Sequence, residues 1–162
     1  MYELAEEPCG ECYLALLRLA AVKCDRFSLV WRDQLRFNRA AERTKVAMAP
    51  YLVSETRTDT WPGTTLIGHQ AMVRTYRLSD QSLEILEATG SLYAWRAPSF
   101  PEDLAFYTED GAVWLATVSH EHMGWFGSDT LKSKELRAAV PGIVLHHSDV
   151  SIEEYICPPS HL

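Results

Sequence analysis

The strongest constraint on the fold lies between residues 104 and 118. Leu104-Ala105-Phe106-Tyr107-Thr108 and Ala112-Val113-Trp114-Leu115-Ala116-Thr117-Val118 flank Glu109-Asp110-Gly111. Asp-Gly between two runs rich in aromatic and β-branched residues marks a tight antiparallel hairpin, because the turn residues must tolerate positive φ. The strand period of two then sends Trp114 into the core and Leu115 to the opposite face.

The rest of the chain supplies partners for that hairpin. Apolar residues at helical spacing predict helices over Glu11–Cys24, over Asn38–Ala49 with Asn38 as N-cap and Pro50 as the stop, and over Asp129–Val140 ahead of Pro141-Gly142. Ser79 caps a further short helix, with Leu78 and Leu83 as a staple and Gly90 beyond its end. Arg26–Arg32, Gln70–Leu78 and Ile143–His146 read as strands, Thr60–Thr64 as a Pro-Gly turn, and Pro98 to Asp103 as an irregular connector. Helices and strands alternate irregularly about an antiparallel hairpin. That favours an α+β class over a doubly wound parallel sheet: one domain over residues 1–162, mainly antiparallel, with about four helices packed on it. Residues 1–8 read as a polar tail and 157–162 as a loose end.

Composition narrows the function classes. Hydrophobic residues are 47% and charged residues 23%, ordinary for a folded domain. No apolar run approaches the roughly 20 residues of a membrane span, and the acidic start is unlike a basic leader, so a cytoplasmic protein is expected. Fifteen Lys+Arg against 22 Asp+Glu give a formal net charge of −7, a poor match for phosphate backbones and anionic membranes. A basic protein is the better partner. No G-x-S-x-G, Walker-type or G-x-G-x-x-G motif is present.

Three sets of residues could carry chemistry. Cys9-Gly10-Glu11-Cys12 opens a helix, where thiols have lowered pKa values, yet Cys24 and Cys157 stand alone and no second pair completes a zinc site. Cys9 and Cys12 therefore read first as reduced thiols, with metal ligation and then redox chemistry as the alternatives. In Ser119-His120-Glu121-His122 a continued strand would point His120 and His122 one way and Glu121 the other. Two such imidazoles could share zinc with a third ligand from His69, His146, His147 or an acid, and would make a small metal-dependent hydrolase. Acids beside aromatics in irregular segments form the third set: Asp59 with Trp61, and Glu102 and Asp103 after Phe100. In turns these residues are free of core packing and suit a protein contact. The favoured reading is a non-enzymatic acidic binding module without a cofactor, such as an inhibitor, an immunity-type protein or a regulatory partner. The hydrolase is the alternative.

The tracts Trp61-Pro62-Gly63-Thr64, Pro101-Glu102-Asp103-Leu104-Ala105-Phe106-Tyr107, Asp110-Gly111, Trp114-Leu115 and Ser119-His120-Glu121 resemble a group of small bacterial proteins over roughly residues 26–126. The resemblance implies a bacterial cytosolic origin. It implies no activity, since none is established for the group.

Overall fold

In the computed structural model, which describes residues 1–127 and 133–148, the chain runs β1 (Tyr2–Leu4), α1 (Gly10–Lys23), β2 (Arg26–Arg32), α2 (Arg39–Met48), β3 (Leu52–Thr58), β4 (Thr60–Trp61), β5 (Thr64–Thr65), β6 (Ala71–Arg77), α3 (Asp80–Glu87), β7 (Glu102–Tyr107), β8 (Val113–Val118), β9 (Met123–Phe126), α4 (Ser133–Ala139) and β10 (Leu145–His147). Eight strands form one antiparallel sheet in the order β10-β1-β9-β8-β7-β2-β6-β3, and β4 pairs with β5 in a separate two-stranded ribbon. This is an α+β domain with four helices among the described residues.

The helices begin where local chemistry favours it. Asn38 accepts from the Ala40 and Ala41 amides at the start of α2, and Ser79 makes a reciprocal capping box with Ser82 at the start of α3. Tyr13, Leu16, Leu17 and Ala20 give α1 an apolar face at i, i+3, i+4 and i+7. That face joins Met48, Leu83, Leu86 and Leu136 from the other helices over Phe27, Leu29, Tyr76, Leu104, Phe106 and Phe126 of the sheet. The opposite face of the sheet carries smaller clusters built on Ala105, Ala116, Val118 and Trp125, and on Val30, Ala71 and Trp61.

Several sequence expectations are corrected. At the hairpin tip only Gly111 has positive φ: the Gly111 amide bonds the Thr108 carbonyl, with Glu109 and Asp110 between them, and the Thr108 amide bonds Ala112. A turn followed by a left-handed glycine needs Gly at one position only. Trp114 is buried as expected, but Leu115 does not face away from it. Phe106 pairs with Leu115 and Tyr107 with Val113, which leaves Trp114 as the extra residue of a β-bulge. Trp114 and Leu115 therefore enter the same core. Residues 1–8 are not a tail, since Tyr2–Leu4 pairs with both β9 and β10 and Leu4 is buried. The expected tail at 157–162, Cys157 and residues 129–132 of the last helix lie outside the described residues.

The burial of Leu115 generates a stability prediction. Truncation to Ala should cost about 2–5 kcal/mol, and Leu115→Asp more, because an unpaired carboxylate would enter the helix-covered core. Urea unfolding of both variants measures it, and an unchanged midpoint for the Asp variant would contradict the packing.

Candidate functional site: a buried carboxylate pair under the Trp61 ribbon

The segment read as a solvated connector is the start of β7. Glu102 is 4% exposed and Asp103 1% exposed. Along β2, Ser28 pairs with Ala105 and Val30 with Glu102, so β7 holds one more residue than its partner across this stretch. The extra residue coincides with Asp103 at φ 55. Aspartate is among the few non-glycine types that adopt left-handed backbone readily. The bulge cancels the strand alternation, so two consecutive carboxylates meet the same guanidinium. Arg32 Nε lies 2.9 Å from Glu102 Oε2, and its terminal nitrogen 3.4 Å from Asp103 Oδ2.

The remaining bonds fasten distant segments to this pair. Trp61 donates its indole N–H to Asp103 Oδ2 at 2.9 Å, and the Ser119 amide donates to Asp103 Oδ1 at 3.0 Å. The Ala97 amide reaches Glu102 Oε1 at 3.4 Å, and the Arg32 guanidinium stacks 5.2 Å from the Trp61 ring centre. At the tip of the β4–β5 ribbon Gly63 has φ 85, and a Cβ there would stand 2.2 Å from the Trp125 ring. Only glycine lets the ribbon lie this close to the sheet. The Trp-Pro-Gly-Thr, Pro-Glu-Asp and Ser-His-Glu tracts, far apart in sequence, thus meet at one place.

His120 stands at the rim of this network. It is exposed, and its ring, Glu102 and Asp103 each offer a donor atom within 4.8 Å of the others. Two carboxylates and an imidazole are a donor set that zinc accepts. The set does not fit an ion here, because Arg32 and the Trp61 and Ser119 N–H groups already occupy the carboxylates, and a guanidinium 2.9 Å away opposes a cation. The arrangement is a buried ion-pair network that clamps the ribbon, the β7 bulge and the segment after β8 together.

The structure separates the other predicted residues. Ser119–Glu121 is a 3₁₀ turn, not a strand, and His122 follows with φ 55. His122 therefore turns away from His120. Its ring lies 5.4 Å from that of Tyr93, with Nε2 3.3 Å from an Arg96 nitrogen. Together with Glu3 and His146 it lines a cavity of about 160 Å³, where His146 meets Glu3 at 2.8 Å. His147 packs edge-on against Tyr2, and Glu121 is exposed beside His120. Trp61 is buried and Phe100 half-buried against Trp95, so neither is an exposed contact ring. Cys9 is exposed and Cys12 half-buried at the start of α1. Both thiols are pushed up, by burial and then by Glu7 for Cys9, and by burial and then by Cys9 for Cys12, instead of the lowered values expected at a helix start.

Asp59 is the exception among the predicted contact residues. It remains exposed, on an open cleft of about 460 Å³ with Asp33, Arg57, Gly68, His69 and Gln70. Arg57 bonds both Asp33 and Gln70, so the cleft wall is braced. Ile67, beside Gly68 in the same loop, is 93% exposed. Compared with protein-family models, curated proteins and solved structures, the chain matches none.

The clamp carries a pH signature. Burial, then the neighbouring Asp103 charge, push the Glu102 carboxyl up from 4.5, against the opposing pull of Arg32, the Ala97 amide and His120. The folded chain thus holds this proton to higher pH than the unfolded chain. The contribution to stability is complete below the ordinary carboxylate range and is lost as pH rises toward the raised value. Glu102→Gln cannot ionise, so the stability of wild type relative to this variant should fall as pH rises above the ordinary carboxylate range. Urea melts from that range upward test it, and a wild-type advantage that grows with pH would reverse the assignment.

Proposed function

We propose that the protein is a non-enzymatic acidic binding module of the cytoplasm, acting on a basic protein as an inhibitor, immunity-type protein or regulatory partner. The observation that carries this reading is Ile67, an almost fully exposed aliphatic side chain beside the cleft that holds Asp33 and Asp59. An isolated apolar side chain in a braced polar rim supplies burial on contact, worth about 1.5–3 kcal/mol when complete. Asp59 and the overall charge of −7 supply the steering toward a cationic surface. Trp61, Glu102 and Asp103 take a different role from the one their sequence suggests: they hold the ribbon that ends beside this cleft.

The hydrolase alternative needs His120 and His122 on one ion, and their separation by the 3₁₀ turn weighs against it. The test is association kinetics with the partner recovered from the native host, across a salt series. The on-rate should fall with salt, Asp59→Lys should slow association several-fold, and Ile67→Ser should speed dissociation with little change in on-rate. A salt-independent on-rate would overturn the reading, as would metal-dependent hydrolysis abolished by His120→Ala.

A further inference from the structure

The two edges of the sheet are unlike. β10 is three residues long, whereas β3 spans seven and has β6 as its only paired strand among the described residues. Natural edges are usually blunted by shortness, by proline, by charged side chains, lysine above all, or by a bulge. β3 contains no proline or lysine, its two charges, Glu55 and Arg57, are of opposite sign and so do not repel every incoming strand, and its register shift lies between Leu52 and Ser54. Beyond the shift, Ser54, Glu55, Thr56, Arg57 and Thr58 pair regularly with β6, and all but Thr58 are exposed, the Glu55 side chain to 46% and the Arg57 side chain to 53%. The regular stretch is therefore five residues long and centred on Thr56.

That stretch is complementary to itself when reversed. About a two-fold axis at Thr56, Glu55 of one copy stands opposite Arg57 of the other, and the same pair recurs on the other side of the axis. Thr56 meets Thr56, and Ser54 meets Thr58, on the opposite face. Opposite charges and hydroxyl pairs directly across antiparallel strands are the favourable cross-strand combinations. The bonds these side chains already make leave capacity for more. Glu55 Oε1 accepts from Arg74 at 2.8 Å, and Arg57 uses its Nε and one terminal nitrogen on Gln70 and Asp33. A carboxylate has a second oxygen, and a guanidinium has five N–H donors.

We propose that two copies of this chain associate through antiparallel pairing of their β3 edges, with Thr56 on the two-fold axis, to make one continuous sheet. The occupant is a second copy because the charge order Glu55-Thr56-Arg57 is matched by its own reverse. A five-residue seam buries less than the ~800 Å² per partner of a standard interface, so the dimer should be weak, exchange rapidly and populate only at high protein concentration. Asp59 and Ile67 fall outside the five paired residues, while Arg57 belongs both to the seam and to the wall of the acidic cleft.

Sedimentation of the full chain over about 10–500 µM tests this. The wild type should show a concentration-dependent dimer. Glu55→Lys and Arg57→Glu should each sediment as monomers, since each places like charges across both symmetric contacts. Mixing these two variants should restore a one-to-one dimer, because an all-basic edge then meets an all-acidic one. Thr56→Lys, on the axis and away from the Glu55–Arg74 pair, should also give a monomer while its thermal melt stays close to wild type. A wild type that is monomeric throughout, or a dimer that survives all three variants, would overturn the proposal. So would a failure of the two folded single variants to associate on mixing.

Discussion

The rest of the structure depends on the left-handed backbone at Asp103. In a regular strand Glu102 and Asp103 would face apart, one toward the helices and one toward the ribbon. The bulge turns both toward Arg32, which lies 2.9 Å from Glu102 and 3.4 Å from Asp103. Strained backbone of this kind costs on the order of 1–3 kcal/mol and persists only where its surroundings over-determine it. Here two N–H donors and a guanidinium converge on one side chain, from the ribbon, from the segment after β8 and from β2. Removing one partner of such a buried pair typically costs 3–5 kcal/mol, because the other charge is left unpaired. Three separate segments are thus tied to one carboxylate, which links the ribbon to the sheet.

Much of the fold was legible because local and global signals agree. β2 has the bounds its apolar run predicts, α2 starts at its Asn38 cap, and α3 starts at its Ser79 cap. The hairpin was legible from Asp-Gly, but not its bulges. A β-bulge has no compositional signature, and period-two reasoning passes over it, which puts Leu115 on the wrong face and Glu102-Asp103 in solvent. β1 was missed because three residues cannot show alternation; its pairing partners, β9 and β10, lie more than 120 positions away in sequence.

The site was less legible than the fold, and for a definite reason. Acids beside aromatics read as a contact surface when their exposure is unknown. Exposure divides the group in two: Trp61, Glu102 and Asp103 turn inward, while Asp59 stays out. Arg32, which makes the inward set tolerable, ends an apolar strand and shares its alternation with Ser28 and Val30. A charged residue on the buried side of a strand was the available signal for a buried acidic counterpart, and the adjacent acids at 102 and 103 were its natural partners. The expectation of a histidine pair failed for the same kind of local reason, since the chain leaves the strand at Ser119 and His122 takes a left-handed turn.

The buried clamp and the exposed cleft are parts of one construction. The ribbon leaves the sheet at Asp59 and returns at Leu66, whose amide bonds the Asp59 carbonyl at 2.7 Å. Between those points Trp61 is tied to Asp103 and Gly63 rests on Trp125. The ribbon is therefore fixed from beneath at Trp61 and at its tip, and closed at its base, and the residues just outside that base, Asp59 on one side and Ile67, Gly68 and His69 on the other, are exposed beside it. Recognition residues on a loop bind well when the scaffold orders them beforehand, since the entropy of fixing the loop is then spent in folding and not in association. The acids that sequence alone assigns to the partner act one layer deeper, by holding still the ones that remain outside.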